Sequence, residues 1–237
     1  MLERYLAWLT SQGLGPGARN DAITAPATFF QAIRQHGWDQ ALPTTAVFFP
    51  GDIPARPPRL TRHLAEHVMA QVELPANLQR WTTPEGRLIT LILIRCGLRV
   101  TDACTLAFDC LIHDGQGAAY LRYTNHKMRR EAAVPIDETL EAEIRTQQQR
   151  VAARWGQSHP CLFPALRRNP GGQHPMTYYS YRGMLNDWLR ACDVRDEHGA
   201  AVHLTPHQWR HTFATRLKVR GIASGASFDG AEDRRCA

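Results

Sequence analysis

The chain runs to 237 residues, 43% hydrophobic and 21% charged, which excludes a disordered tract or a fibrous repeat and allows one sizeable core or a small domain before a larger one. Its 28 lysines and arginines against 22 acids give a formal charge of +6, which favours a polyanionic partner because basic surface displaces counterions from phosphates. No stretch reaches the roughly 20 apolar residues of a membrane span, and the opening MLERYLAWLTSQGLGPG lacks the apolar centre of a signal peptide, so a cytoplasmic protein without a membrane partner is expected.

Residues 2–9 and 26–37 carry short amphipathic helical patterns; in the second, Pro26 stands near the start and Phe29, Phe30 and Ile33 share one side. The segment LPTTAVFFPGDIPARPPRL follows, with five prolines from Pro43 to Pro58. Prolines this dense continue neither a helix nor a central strand, so an extended connector is predicted, with a domain boundary near residue 55. Beyond it, Leu64, Val68 and Val72 predict a helix over 61–73. Thr83-Pro84-Glu85 reads as a helix start, with a capping threonine, proline in the first turn and an acid near the positive end. That helix runs on through GRLITLILIRCG, apolar all round and therefore central, and Gly97 closes it.

A further helix is expected at about 100–108. Residues 118–136 then change period: AAYLRYT and AAVPI are extended runs around the basic turn NHKMRRE, which predicts a β-hairpin or the corner of a small sheet. Helical patterns resume at 137–154 and 177–192, and the last helix begins at Pro206. The expected fold class is mainly α with a small antiparallel β-sheet. The six cysteines (Cys96, Cys104, Cys110, Cys161, Cys192 and Cys236) show no C-x-x-C pairing, and several sit in apolar runs, as reduced buried thiols do.

Four cationic or protonatable residues fall at the edges of these elements: Arg99 just after Gly97, Lys127 in the hairpin turn, and His207 with Arg210 in the final helix. His207 and Arg210 are three apart and share a helical face, in a first turn where unpaired N–H groups and the helix dipole favour an anion. Convergence of these residues would make a phosphate clamp, since arginine grips two oxygens at once and lysine or histidine delivers a proton. Periodicity does not show that they converge. Taken singly, Arg99 also fits a residue facing a helix dipole, Lys127 a solvated turn residue and His207 a helix cap.

The segment CGLRVTDACTL resembles the first arginine box of the tyrosine recombinases (the phage-integrase family). LRYTNHKMRREAAVPI resembles that family's lysine hairpin, and LTPHQWRHTFAT its histidine–x–x–arginine box. MTYYSYRGMLNDWLRACDV is similar to the helix that precedes the last box, and FPGDIPARPPRLTRHL resembles the transposon-borne branch. The likeness spans roughly residues 55–220. It implies a recombinase catalytic domain at 55–220 lacking its C-terminal end, a partial helical core-binding domain and linker at 1–54, and a non-family, disordered tail at 221–237.

The resemblance also implies roles. Arg99 and Arg210 would hold the non-bridging oxygens of the scissile phosphate, Lys127 would protonate the departing 5′-oxygen, and His207 would transfer a proton on the nucleophile's side. Asp102 would brace the site, with His211 beside it in support. Double-stranded DNA is the implied partner, together with intact recombinase protomers. The cations take the place of a metal, so no metal, cofactor or small-molecule substrate is implied.

Family members cleave DNA with a tyrosine beyond the histidine–arginine box. The six tyrosines here are Tyr5, Tyr120, Tyr123, Tyr178, Tyr179 and Tyr181, and none follows Arg210. ASGASFDGAEDRRCA has one large apolar residue, Phe228, and reads as truncated or frameshifted coding sequence. Tyr178 and Tyr181 fall with Leu185 and Trp188 at core-like spacing, which predicts burial. The expectation is a recombinase by ancestry that is defective in cleavage; the alternative is a non-catalytic DNA-binding regulator or inhibitor of intact recombinases.

Overall fold

The computed structural model describes residues 1–56, 62–156, 159–219 and 221, and these divide into two compact units, one up to residue 56 and one from residue 62. In the first unit, α1 (Leu2–Ser11) packs on α2 (Pro16–His36), with Leu9, Ile23 and Phe48 at the centre. The helix expected at 26–37 begins ten residues earlier and passes through Pro26. Proline offers no N–H to the carbonyl one turn back, at Ala22, and this helix compensates through another donor: the Tyr5 hydroxyl bonds the Ala22 oxygen at 3.0 Å. Gly37, in the left-handed region at φ 62°, closes α2.

The proline-rich connector is bound to α2 as far as residue 56. Arg34 Nη2 donates to the Ala46 carbonyl at 2.6 Å, Asn20 Nδ2 donates to the Pro54 carbonyl at 2.9 Å, and Arg56 pairs with Asp21. A single 3₁₀ turn at Pro50–Asp52 interrupts its extended course.

In the second unit, α3 (Glu66–Glu73) starts later than the expected 61, because the Leu64 N–H is given to Thr212 Oγ1 at 2.9 Å and the chain stays extended up to Ala65. α4 (Pro75–Leu78) leads into α5 (Pro84–Cys96), capped as predicted: Thr83 Oγ1 accepts from the Gly86 N–H at 3.3 Å. Ile89, Ile92 and Leu93 are fully buried, so α5 is the central helix. α6 (Val100–Cys104) is shorter than the expected 100–108. Past it, the Leu106 carbonyl accepts from Leu162 N and the Phe108 carbonyl from Gln148 Nε2, so these groups leave the helical ladder.

Three antiparallel strands follow in the order β1-β2-β3: β1 (Leu111–His113), β2 (Ala119–Asn125) and β3 (Arg130–Pro135). The hairpin registers Asn125 opposite Arg130 and Tyr120 opposite Pro135. α7 (Glu138–Trp155), α8 (Tyr178–Cys192) and α9 (Pro206–Val219) complete the unit. α8 inserts Tyr181, whose hydroxyl bonds Thr90 Oγ1 at 2.9 Å, and Trp188, which stacks on Trp81 at 4.8 Å.

The mainly helical fold with one small antiparallel sheet is thus as expected. Five cysteines are free and buried, and desolvation pushes the thiols of Cys96, Cys104 and Cys110 up to about 12. Cys236 and, apart from Gly221, the tail expected at 221–237 lie outside the described residues. Among the described residues no helix is long and apolar enough to cross a membrane, and no cluster of three or more potential metal ligands occurs.

Candidate phosphate-binding site

The site grows from the end of α5. Gly97 adopts φ 63°, a conformation that costs a residue with a Cβ about 1–2 kcal/mol. The missing side chain has a second use: the Phe213 ring of α9 packs on this spot, and a Cβ here would stand 2.7 Å from its Cε1 atom. The Gly97 carbonyl in turn accepts from Arg210 Nη1 at 2.8 Å. One residue therefore turns the chain toward Arg99 and ties down the helix that carries His207 and Arg210. The start of α9 is fixed by Gln208, whose Oε1 accepts from the Thr205 N–H at 2.8 Å and from its hydroxyl at 3.1 Å.

Arg99 is the N-cap residue of α6, and Asp102 lies in that helix's first turn. Tyr178 is the first residue of α8, after Thr177, whose hydroxyl accepts from the Ser180 N–H at 3.2 Å. Arg99, Thr101, Tyr178, His207 and Arg210 line one cavity of about 210 Å³ with Leu98, Val100 and Pro206. The positive ends of α8 and α9 thus meet at the same cavity as two guanidinium groups. Tyr178, expected to be buried like Tyr181, is instead half-buried on its wall, since the first residue of a helix stands at the end of the packed face.

The charges crowd one another. Burial, then Arg99, pulls the Arg210 guanidinium below the ordinary arginine range. Burial also lowers His207, followed by His211, Arg210, Arg99 and Arg62. His211 stands edge-on to His207 with ring centres 4.6 Å apart, and it is lowered by burial, then by Arg62, Arg210 and His63. An anion in the cavity would offset the repulsion among Arg99, His207 and Arg210. Tyr123 on β2, raised chiefly by burial, also feels Arg210 and Arg99.

Asp102 supplies the compensating negative charge. Its side chain is 1% exposed; Oδ2 stands 3.9 Å from Arg99 Nη1, and Oδ1 faces His126 Nδ1 at 2.9 Å and accepts the His126 N–H at 3.3 Å. Arg99 Nη1 donates to Asn125 Oδ1 at 3.1 Å. Lys127 follows in the exposed turn 126–129 and is not a wall of the cavity.

The structure therefore gathers Arg99, His207 and Arg210 at one cavity, sets Asp102 under Arg99 and His211 beside His207, and leaves Lys127 at the rim of the arrangement. Sequence reasoning passed over Asn125, His126 and the packing role of Gly97, and assigned Tyr178 to the core. The available signal was the polar pair Asn125-His126 directly before the lysine in a turn.

The phage integrase family matches residues 58–224. Transposase B from transposon Tn554 of Staphylococcus aureus is 29% identical over 93% of this chain and 34% of its own length, so the chain spans about a third of that relative. Tyrosine recombinase XerA of Pyrococcus horikoshii is 27% identical over 94% of this chain and 74% of its own. Two solved structures share the fold: XerH bound to difH substrate (TM-score 0.62, 16% identity, 93% of this chain and 59% of that one) and the Tn1549 transposon integrase in complex with circular intermediate DNA (TM-score 0.57, 18% identity, 93% and 72%). The matched segment covers all three boxes and the helices and hairpin that carry them, and on that ground the chain belongs to the phage integrase family of tyrosine recombinases.

Proposed function

We propose that these 237 residues hold double-stranded DNA at a phosphate in the manner of a site-specific recombinase, and that on their own they bind that phosphate without cutting the strand. The observation that carries this reading is the cavity walled by Arg99, His207 and Arg210 at the positive ends of α8 and α9. The related XerH and Tn1549 integrase structures contain DNA, which supports a duplex as the ligand.

In this reading the two guanidinium groups hold the non-bridging oxygens and stabilise charge as the phosphorus becomes five-coordinate. Lys127 reaches in from the hairpin turn to protonate the departing 5′-oxygen, while His207 exchanges a proton on the opposite side. Asp102 fixes Arg99, and His211 braces His207. Cleavage needs a tyrosine oxygen to attack phosphorus and form a 3′-phosphotyrosyl bond. No tyrosine follows Arg210 within these residues, Tyr181 is locked in the core, and Tyr178 on the cavity wall is read as a wall residue. The nucleophile then comes from outside these 237 residues, as from an intact recombinase protomer on the same DNA; without one, they occupy the site as a regulator does. Residues 1–54 contribute part of the DNA-embracing domain and 55–220 the phosphate site.

Supercoiled plasmid tests this without knowledge of a target sequence. The expected result is a mobility shift under native conditions, weakened in Arg99→Ala and Arg210→Ala. No relaxed or nicked product and no protein–DNA adduct should survive detergent. Relaxation or a detergent-stable adduct that Arg99→Ala abolishes would overturn the non-cleaving reading.

A further inference from the structure

We propose that Asn125 and His126 form a latch that holds the β2–β3 turn against α6, and that His126 is thereby the positioning residue for Lys127. The inference rests on the reading above in one respect, that Lys127 acts on the phosphate. A turn of four exposed residues is ordinarily among the least ordered parts of a domain. This one is tied at two consecutive residues.

Asn125, the last residue of β2, uses one oxygen twice: Oδ1 accepts from Arg99 Nη1 at 3.1 Å and from the Met128 N–H at 3.2 Å, closing the turn on itself while joining it to the arginine. His126 uses both of its donors on a single partner, placing Nδ1 2.9 Å and N 3.3 Å from Asp102 Oδ1. That partner is a carboxylate whose side chain is 1% exposed, and a charge-assisted contact of this kind is among the stronger ones available to a surface loop, even with the imidazole itself 48% exposed. With Asp102 as acceptor, the proton sits on Nδ1 and the ring is fixed in orientation. The backbone of residue 126 is held by the same carboxylate, so the residue after it leaves from a defined point. Lys127 is thereby flanked by two anchored residues, His126 and Met128.

The latch also runs in the other direction. Arg99 is oriented by Asn125 as well as by Asp102, so the arginine and the lysine are set by one connected group: Asp102, His126, Asn125 and Arg99. Sequence neighbours in the hairpin act together because the buried carboxylate stands under both.

Two readouts on the 237-residue chain separate the latch from the reading it rests on. Amide hydrogen exchange of the turn should speed up by roughly tenfold to a hundredfold in His126→Ala, the range expected when one hydrogen bond to a charged group is lost. In His126→Asn, whose side-chain amide can still donate to Asp102, most of the protection should return. Unchanged exchange in His126→Ala overturns the latch.

The second readout is affinity for a mixed-sequence duplex in wild type, His126→Ala, Lys127→Ala and the double variant. The expectation is weaker binding in each single variant and no further loss when His126→Ala is added to Lys127→Ala. Equal losses in both backgrounds would mean that His126 acts independently of the lysine, which also overturns the proposal. If Lys127→Ala binds like wild type while exchange has risen in His126→Ala, the latch stands and the role given to Lys127 falls.

Discussion

Replacing Gly97 by alanine should disturb folding and phosphate binding together. The residue sits at φ 63°, where a Cβ costs about 1–2 kcal/mol, and the added atom would overlap the Phe213 ring, 2.7 Å from Cε1 and 2.8 Å from Cγ. Forcing an extra carbon into a packed contact costs typically about 1–3 kcal/mol, so the expected loss is about 2–5 kcal/mol, a large part of the roughly 5–15 kcal/mol that holds a typical domain folded. Urea unfolding followed by tryptophan fluorescence reports on the second unit through the buried Trp81, Trp188 and Trp209. A duplex titration below the unfolding transition reports on the site, because moving Phe213 moves α9 and parts Arg210 from the Gly97 carbonyl it bonds at 2.8 Å. Adding Phe213→Ala should relieve the overlap and leave the backbone strain, so the loss on introducing Gly97→Ala should be smaller in that background than in wild type. An unchanged midpoint with unchanged binding in Gly97→Ala would refute the claim that this residue organises the site.

The histidine pair gives a pH prediction. Folded His207 and His211 are lowered below 6.5 by burial first and then by the surrounding cations, so as pH falls through 6.5 the unfolded chain takes up protons before the folded one. Stability contributed by these groups is present above that value and lost on the way down to the lowered folded values. Bound phosphate reverses their preference, so duplex affinity should rise over the same window, and His207→Gln with His211→Gln should flatten both profiles; pH-independent affinity in wild type would contradict this. Arg216→Ala should cost only about 1 kcal/mol, although Arg216 bonds Glu66 at 2.7 and 2.9 Å and Glu73 at 2.9 and 3.1 Å, because the carboxylate side chains are 70% and 38% exposed. A urea midpoint shift corresponding to several kcal/mol would show that this clamp between α3 and α9 matters more than its exposure implies.

Much of the fold was legible because the signals were local. Thr83-Pro84-Glu85 and Gly97 bracket α5 by capping chemistry alone, and the apolar run between them has no polar face to give to solvent. The hairpin showed in its change of period. What escaped depends on partners distant in sequence. A helix through Pro26 depends on the Tyr5 hydroxyl, and the late start of α3 on the Thr212 hydroxyl; neither leaves a mark in its own segment. β1 is only three residues long and pairs with β2 through Leu111, Ile112 and His113, too short a run to show alternation. At the site, residue types and box order pointed to Arg99, His207 and Arg210, whereas the Asp102–His126 contact bridges separate boxes and could be read only in three dimensions.

In the proposed function Arg99 and Arg210 jointly grip one DNA phosphate. The most direct measurement is the salt dependence of binding to a mixed-sequence duplex, comparing wild type, Arg99→Ala/Arg210→Ala and Arg99→Lys/Arg210→Lys. Each lost phosphate contact reduces the slope of log K against log salt by about 0.9. Both arginines hold the same phosphate, so the alanine pair should flatten the slope by roughly 0.9, and the lysine pair should keep the slope while losing affinity with the bidentate grip. A folded alanine double variant that binds with wild-type affinity and an unchanged slope would contradict the account.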